Sequence, residues 1–117
     1  MNSKADPGGF PQRKASEVPS VTSPQMREIQ RAAQEEFGLD IIQITENAGR
    51  AVSTLALAML GGKARGQHIV VLAGGGNKGA AGLCAVRHLS NWGFVVEPVF
   101  GEVETEMSFA ARKQLQI

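Results

Sequence analysis

The stretch VVLAGGGNKGAAGLCAVRHL, residues 70–89, joins an apolar run, a group of glycines and a pattern that is typical of a helix. The apolar run starts at His68, and HIVVLA (residues 68–73) is short, continuous and rich in β-branched residues. These features predict a parallel strand that is buried on both faces. A strand that ends in glycines and leads into a helix brings free backbone N–H groups and the positive end of the helix dipole together. The stretch therefore predicts a site for a phosphate or another anion.

The glycines of this loop match a known nucleotide-binding spacing. Gly74, Gly76 and Gly79 fit the G-x-G-x-x-G fingerprint of dinucleotide-binding proteins. The pattern alone is weak, because glycines also permit close packing of a helix on a strand without any ligand. A P-loop is excluded, since Ala80 stands where the Walker lysine would follow Gly79. Lys78 is open to two interpretations, a point charge that meets a phosphate or a solvated residue at the loop tip.

Helical punctuation predicts two helices before this unit. The first is capped by Thr22 or Ser23 and stops at Gly38. The second starts near Asp40 and ends at the glycines of residues 61–62. Helical spacing gives this second helix one apolar face, made of Ile44, Ala48, Ala51, Leu55 and Met59.

Two further elements follow the glycine loop and its helix. FVVEPVF, residues 94–100, predicts a second strand, and Pro98 belongs at its end or on an open edge. Thr105 is the predicted cap of a last helix. The order helix, helix, strand, helix, strand, helix indicates an α/β fold with a right-handed βαβ unit.

The extent of the domain is also a prediction. Two strands are too few for a well-covered sheet, and no stop signal follows Ile117, so we expect an incomplete sheet and the first part of a larger domain from residue 21. Residues 1–20, rich in proline, glycine, serine and charge, predict a disordered tail.

Composition excludes several classes of partner. The 117 residues carry a net charge of +1 and no basic stripe, which argues against nucleic acid and anionic membranes. The polar N-terminus is not a secretory signal, and the longest apolar stretch, residues 51–60, is too short to span a bilayer. A single cysteine, Cys84, cannot form an internal disulfide. We therefore expect a cytoplasmic protein with neither a nucleic-acid nor a membrane partner.

Other reactive side chains carry little signal in the sequence. Cys84 is predicted to be buried filler, and His88 to be structural or solvated. No cluster of His, Cys, Asp or Glu has the spacing of metal ligands, so no metal site is predicted. The polar pair Glu46 and Asn47 interrupts an otherwise apolar helix, and a solvated helix face explains it as well as a role near the loop does.

The glycine loop, read together with ENAGRAV (residues 46–52) and QMREIQRAAQEEFGL (residues 25–39), resembles the YjeF N-terminal domain family. The resemblance covers about residues 21–100. It implies a Rossmann-like three-layer α/β/α sandwich and NAD(P)H-hydrate epimerase activity. Such an enzyme interconverts the R and S epimers of hydrated NAD(P)H during repair of nicotinamide cofactors. A companion dehydratase that accepts one epimer then clears both.

The family's loop typically reads G-x-G-N-N-G-G-D-G, and the chain departs from it in three places. Lys78 replaces an asparagine that is a potassium ligand, Ala81 replaces an aspartate, and Ala80 replaces a glycine. Potassium is thus implied by the family, but Lys78 would not coordinate it. Glu46 and Asn47 lie in the ENAG motif and are candidates for a supporting role behind the loop, while the catalytic residue is unknown. It implies substrate binding by Gly74, Gly76, Asn77, Lys78, Gly79, Ala80, Ala81 and Gly82.

Three functions remain open from the sequence. The first is an NAD(P)H-hydrate epimerase that binds a nucleotide-derived small molecule. The second is a catalytically inactive module with the same fold, which binds a ligand or forms a homodimer; it resembles the dimerising scaffold of an mRNA-decapping enhancer, and the departures at Lys78 and Ala81 favour it. The third is an NAD-binding Rossmann half-domain in which Glu97 holds the ribose hydroxyls.

Overall fold

The computed structural model of the protein describes residues 12–117 and confirms the predicted order of elements. The predicted α/β architecture is also confirmed, with parallel strands and two leading helices. Two short 3-10 helices lie at Ala15–Glu17 and Glu104–Glu106. The principal elements are α1 (Ser23–Glu35), α2 (Ile41–Met59), β1 (His68–Ala73), α3 (Asn77–Asn91), β2 (Val95–Phe100) and α4 (Phe109–Leu115).

Strands β1 and β2 pair in parallel, from His68 opposite Val95 to Ala73 opposite Phe100. Pro98 lies opposite Val71 within β2. Because β2 pairs only with β1 among residues 12–117, Pro98 lies on a strand with an open edge, as predicted.

The prediction that β1 is buried on both faces is wrong for the described part of the chain. One face of the sheet packs against α3, where Ile69 and Val96 join the buried Leu89. The other face is open, and Leu72 is 79% exposed. The apolar run of β1 correctly indicated a strand, but no second layer of residues 12–117 buries this face.

The apolar face of α2 forms as predicted, but it is not the face that packs against the rest of the described chain. Ile44 is half-buried, while Ala48, Ala51, Leu55 and Met59 are exposed. The buried residues of α2 are instead Thr45, Gly49 and Ser53. The buried residues of α2 are the small ones, because α2 and α3 approach each other closely.

The contact between α2 and α3 depends on these small residues. The Ser53 hydroxyl donates to the carbonyl of Gly49 at 2.9 Å and lies 3.3 Å from the carbonyl of Ala85 on α3. A Cβ atom on Gly49 would stand only 2.5 Å from the Cys84 Sγ and 2.9 Å from the Ala81 carbonyl oxygen. The α2–α3 distance therefore leaves no room for a larger side chain at Gly49.

Helices α1 and α2 start where the sequence predicts, whereas α4 starts later than predicted. The Thr22 hydroxyl accepts from the Gln25 N–H at 3.3 Å, and the Asp40 carboxylate accepts from the Ile42 N–H at 2.7 Å. The prediction that Thr105 caps the last helix is wrong, because Ser108 does so. Met107 lies between Thr105 and Ser108 in the sequence, and it is extended and buried in the core cluster. Helix α4 therefore starts only after Met107.

The predicted boundaries of the domain are not tested by the fold. Residues 12–20 are exposed, and residues 1–11 lie outside the described residues, so the tail over residues 1–20 stays a prediction. No helix within residues 12–117 is long and apolar enough to cross a membrane.

We expect Gly49→Ala to destabilise the protein by about 1–3 kcal/mol, because its Cβ overpacks the α2–α3 contact. Helix propensity alone would favour this change by about 1 kcal/mol. Gly82→Ala on α3 is the matched control, since its Cβ would meet Val71 at an ordinary 3.5 Å. Urea unfolding of both variants measures the difference, and a Gly49→Ala variant as stable as Gly82→Ala would contradict the close approach.

Candidate functional site: the cavity at the glycine loop

The loop between β1 and α3 presents unpaired backbone donors. Gly76 is the N-cap residue of α3, and no side chain of residues 12–117 caps this helix. The first N–H groups of a helix have no partner within the helix, and they carry the positive end of its dipole. The start of α3 is therefore free to bind an anion.

Gly79 sets the shape of this loop. A Cβ atom on Gly79 would overlap the carbonyl group of Gly74, which is backbone and cannot turn aside. The first turn of α3 thus lies directly against the end of β1. Only glycine permits this approach. Gly79 is therefore needed for packing, in addition to its predicted role in ligand binding.

The connection between β2 and α4 holds the loop from the other side. The Gly101 N–H donates to the carbonyl of Ala73 at 3.0 Å, and the Ser108 N–H donates to the carbonyl of Gly75 at 2.7 Å. These bonds satisfy the last carbonyl of β1 and one carbonyl of the loop, and they leave the first N–H groups of α3 free.

A cavity of about 610 Å³ opens beside the loop. Its charged side chains are Arg27 from α1, Lys78 from the loop and Glu102 from the β2–α4 connection. Neither Arg27 nor Glu102 was predicted from the sequence, because both lie outside the glycine motif. The remaining lining residues are Ser23, Met26, Gln30, Leu72, Gly74, Gly75, Gly76, Asn77 and Gly79.

The structure divides the predicted substrate-binding residues into two groups. Gly74, Gly76, Asn77, Lys78 and Gly79 line the cavity. The other three residues, Ala80, Ala81 and Gly82, are outside its lining.

Helix geometry explains this division. Ala80 is fully buried in the core cluster, and Gly82 faces the side chain of Val71 on β1. Ala81 is half-buried, with its carbonyl beside α2 at Gly49. One turn into α3, the helix turns these positions toward its packing partners, away from the cavity.

Glu97, the predicted ribose ligand of the half-domain hypothesis, does not line the cavity. It is exposed and pairs with Val70, three residues before the end of β2. Glu102 is the acid that the chain brings to the carboxyl end of the strands.

A second polar group ties α2 to α3. Glu46 accepts from Arg87 and lies 3.2 Å from the Cys84 Sγ and 2.7 Å from the His88 Nε2. Asn47 is exposed and makes no hydrogen bond in this group within the described residues. Glu46 is therefore a structural link between helices, and His88 is half-buried within it.

Sequence spacing did not reveal this cluster. The potential ligand atoms of Glu46, Cys84 and His88 lie within 4.8 Å of one another. The signal that was available is the four-residue spacing of Cys84 and His88, which places both on one face of α3. The positive charge next to this cluster belongs to Arg87, whose guanidinium pairs with Glu46 and lies 3.5 Å from the Cys84 Sγ.

The same contacts lower the pKa of Glu46 and raise the pKa of Cys84. Burial raises the pKa of Glu46, but hydrogen bonds from Cys84 and His88 and the charge of Arg87 outweigh it, so the pKa lies below its ordinary value. Burial and the neighbouring Glu46 raise the pKa of the Cys84 thiol to about 11. Cys84 is thus a protonated, unreactive thiol at neutral pH, consistent with its burial.

We expect Glu46→Gln to cost about 1 kcal/mol at pH 7, a value discounted for solvent screening because the Glu46 side chain is 42% exposed. A lowered pKa stabilises the fold fully above the ordinary value of 4.5 and loses its effect as the pH falls through the folded-state pKa. Thermal melts from pH 7 to pH 3 should therefore converge for wild type and variant. The exposed Glu106→Gln is the control, and a constant difference across this range would refute the linkage.

Gly79→Ala should destabilise the protein by about 3 kcal/mol, because the new methyl group overlaps backbone that cannot move alone. Gly74→Ala provides the comparison, since nothing lies within 4 Å of the position that its methyl group would take. Chemical denaturation of both variants measures the effect. Equal stability of the two would mean that α3 does not start against the loop.

The model of the family described as YjeF-related protein N-terminus matches residues 42–117. The chain belongs to this family. The match includes α2 from its second residue, the glycine loop and the β2–α4 connection, whereas α1 lies before it.

Two similar proteins are named NAD(P)H-hydrate epimerase. That of Dehalogenimonas lykanthroporepellens is 45% identical over 85 residues, which cover 73% of this chain and 35% of the relative. That of Elusimicrobium minutum is 31% identical over 87 residues, or 70% of this chain and 39% of the relative. The bifunctional NAD(P)H-hydrate repair enzyme Nnr of Moorella thermoacetica is 31% identical over 97 residues, or 83% of this chain and 18% of that protein. The chain therefore spans less than two fifths of these relatives.

The side chains of the loop do not fit the potassium ion that the family resemblance implies. Lys78 brings an ammonium group to the position of an expected oxygen ligand, and ammonium only donates hydrogen bonds. Ala81 has no side-chain oxygen. Lys78 places a fixed positive charge at this end of the cavity instead.

Proposed function

We propose that the chain contributes the substrate-binding part of an NAD(P)H-hydrate epimerase. The observation that carries this proposal is the uncapped start of α3, which faces a cavity that Arg27 and Lys78 also line. The names of the Dehalogenimonas and Elusimicrobium relatives support hydrated NAD(P)H as the substrate. The reaction is the interconversion of its R and S epimers.

The chemistry of the cavity suits a dinucleotide. The α3 amides would receive the pyrophosphate, where the helix dipole and close backbone approach favour negative charge. Lys78 adds a point charge, and the Asn77 side chain adds an amide that can donate or accept. A volume of about 610 Å³ lies within the usual range of small-molecule sites.

The proton-transfer group of the epimerisation stays unassigned. Acid–base chemistry at C6 of the hydrated ring requires a group that accepts a proton within hydrogen-bond reach. Glu102 is the single carboxylate that lines the cavity among residues 12–117. Glu46 is engaged by Arg87, Cys84 and His88, and we propose that it supports α3 from behind.

A second candidate is a module that binds the nucleotide without catalysis. Lys78 and Ala81, which replace the family's asparagine and aspartate, favour it. The open apolar face of the sheet, with Val70 and Leu72 exposed, leaves room for a further layer or a second copy. The homodimer and the cytoplasmic location stay predictions.

Thermal melts of the full chain test ligand binding. A ligand that binds only the folded form stabilises it by about 2.7 kcal/mol at one hundred times its Kd. We expect a raised Tm with hydrated NADH or hydrated NADPH and a smaller shift with unmodified NAD. Lys78→Ala should reduce the shift, whereas Lys63→Ala, an exposed lysine outside the cavity, should leave it unchanged.

Activity separates the two candidates. Epimer interconversion, followed by chromatography of a single purified epimer, supports the enzyme. A ligand-induced shift without interconversion favours the non-catalytic module. A chain that melts cooperatively but shows no shift with either hydrate would refute the proposed substrate.

A further inference from the structure

Glu102 lies at the carboxyl end of the two strands. Strand β2 ends at Phe100, and the hydrogen bond from the Gly101 N–H to the Ala73 carbonyl, 3.0 Å long, holds the chain beside the glycine loop. The Glu102 carboxylate packs directly on Gly75, where a Cβ atom on that glycine would overlap the carboxylate oxygen. The exposed Glu102 side chain thus lies in contact with the loop.

The Glu102 carboxylate has no protein partner in the described part of the chain. It forms neither a hydrogen bond nor an ion pair within residues 12–117, although Arg27 and Lys78 line the same cavity. An ionised carboxylate has two oxygens that accept hydrogen bonds and none that donates. Its free acceptors therefore suit a ligand with two adjacent hydroxyl groups.

In parallel α/β proteins, two different elements bind the pyrophosphate and the ribose of a dinucleotide. The helix after the first strand binds the pyrophosphate, and an acid after the second strand binds the hydroxyls of the adenosine ribose. Glu102 stands in that second place, 23 residues beyond Gly79. Glu97, which lies within β2, does not reach it.

We propose that Glu102 binds the 2′- and 3′-hydroxyls of the adenosine ribose and makes the site selective for hydrated NADH over hydrated NADPH. The inference rests on the proposed function and adds its cofactor preference. A 2′-phosphate would remove one hydroxyl donor and place its negative charge beside the carboxylate. Gly75 contributes by permitting the carboxylate to lie against the loop.

The test uses two pairs of ligands on the full chain at fixed ionic strength. Calorimetry would measure the Kd of hydrated NADH against hydrated NADPH, and of ADP-ribose against 2′-phospho-ADP-ribose. We expect wild type to prefer the ligand without the 2′-phosphate by about tenfold in each pair, the worth of hydrogen bonds to a charged group. The ADP-ribose pair isolates the ribose from the hydrated ring.

Three variants separate selectivity from folding. Glu102→Gln should lose most of the preference, and Glu102→Lys should reverse it by pairing with the 2′-phosphate. Glu104→Gln, an exposed acid of the same connection outside the cavity lining, should retain it. Melts without ligand establish that each variant is folded, and the two Glu102 variants must shift selectivity in the stated order.

The outcomes distinguish this inference from the proposed function. If both hydrates bind and Glu102→Gln leaves their ratio unchanged, the role of Glu102 is overturned while the substrate stands. The role of Glu102 is likewise overturned if the variant weakens both ligands equally, or if turnover falls without a change in binding. If only the ADP-ribose pair binds, with the stated selectivity, Glu102 binds ribose and the hydrate is refuted; if nothing binds, both proposals fall.

Discussion

The close approach of α3 to its neighbours is the constraint on which the rest of the structure depends. At its start, Gly79 lies against the Gly74 carbonyl and places the helix end beside β1. Along the side of α3, Gly49 of α2 leaves space for Cys84 and for the Ala81 carbonyl. Because α3 also covers one face of the sheet and contacts α4, these contacts set the position of its N-terminal end relative to α2, the strands and α4.

Polar contacts then fix the rotation of α3. Glu46 reaches across from α2 to Arg87, Cys84 and His88, which lie within one and a half turns of the helix. Such directional bonds specify one orientation, whereas small residues alone permit sliding. The network thus holds the helix whose amides we propose as the pyrophosphate site, without touching the cavity itself.

The fold was predictable where the signal is local. Apolar β-branched residues, glycines and caps act over a few positions, so β1, the glycine loop and the starts of α1 and α2 were predicted correctly. The buried face of α2 was not, because hydrophobicity favours Leu55 and Met59 whereas packing selects Gly49 and Ser53. Burial of both faces of β1 failed for a related reason, since a sequence does not state which layer covers a strand.

By itself the sequence determined the order of elements, the spacing of the loop glycines and the family, because each depends on residues that are close along the chain. Only the tertiary structure decided that α1 lines the cavity, that Glu102 rather than Glu97 stands beside the loop, and that Glu46 joins α3. These pairings join residues that are far apart in the sequence: Glu102 and Gly75 are 27 positions apart, and Glu46 and His88 are 42 positions apart. Strand register and helix packing bring such residues together, and neither is encoded in local periodicity.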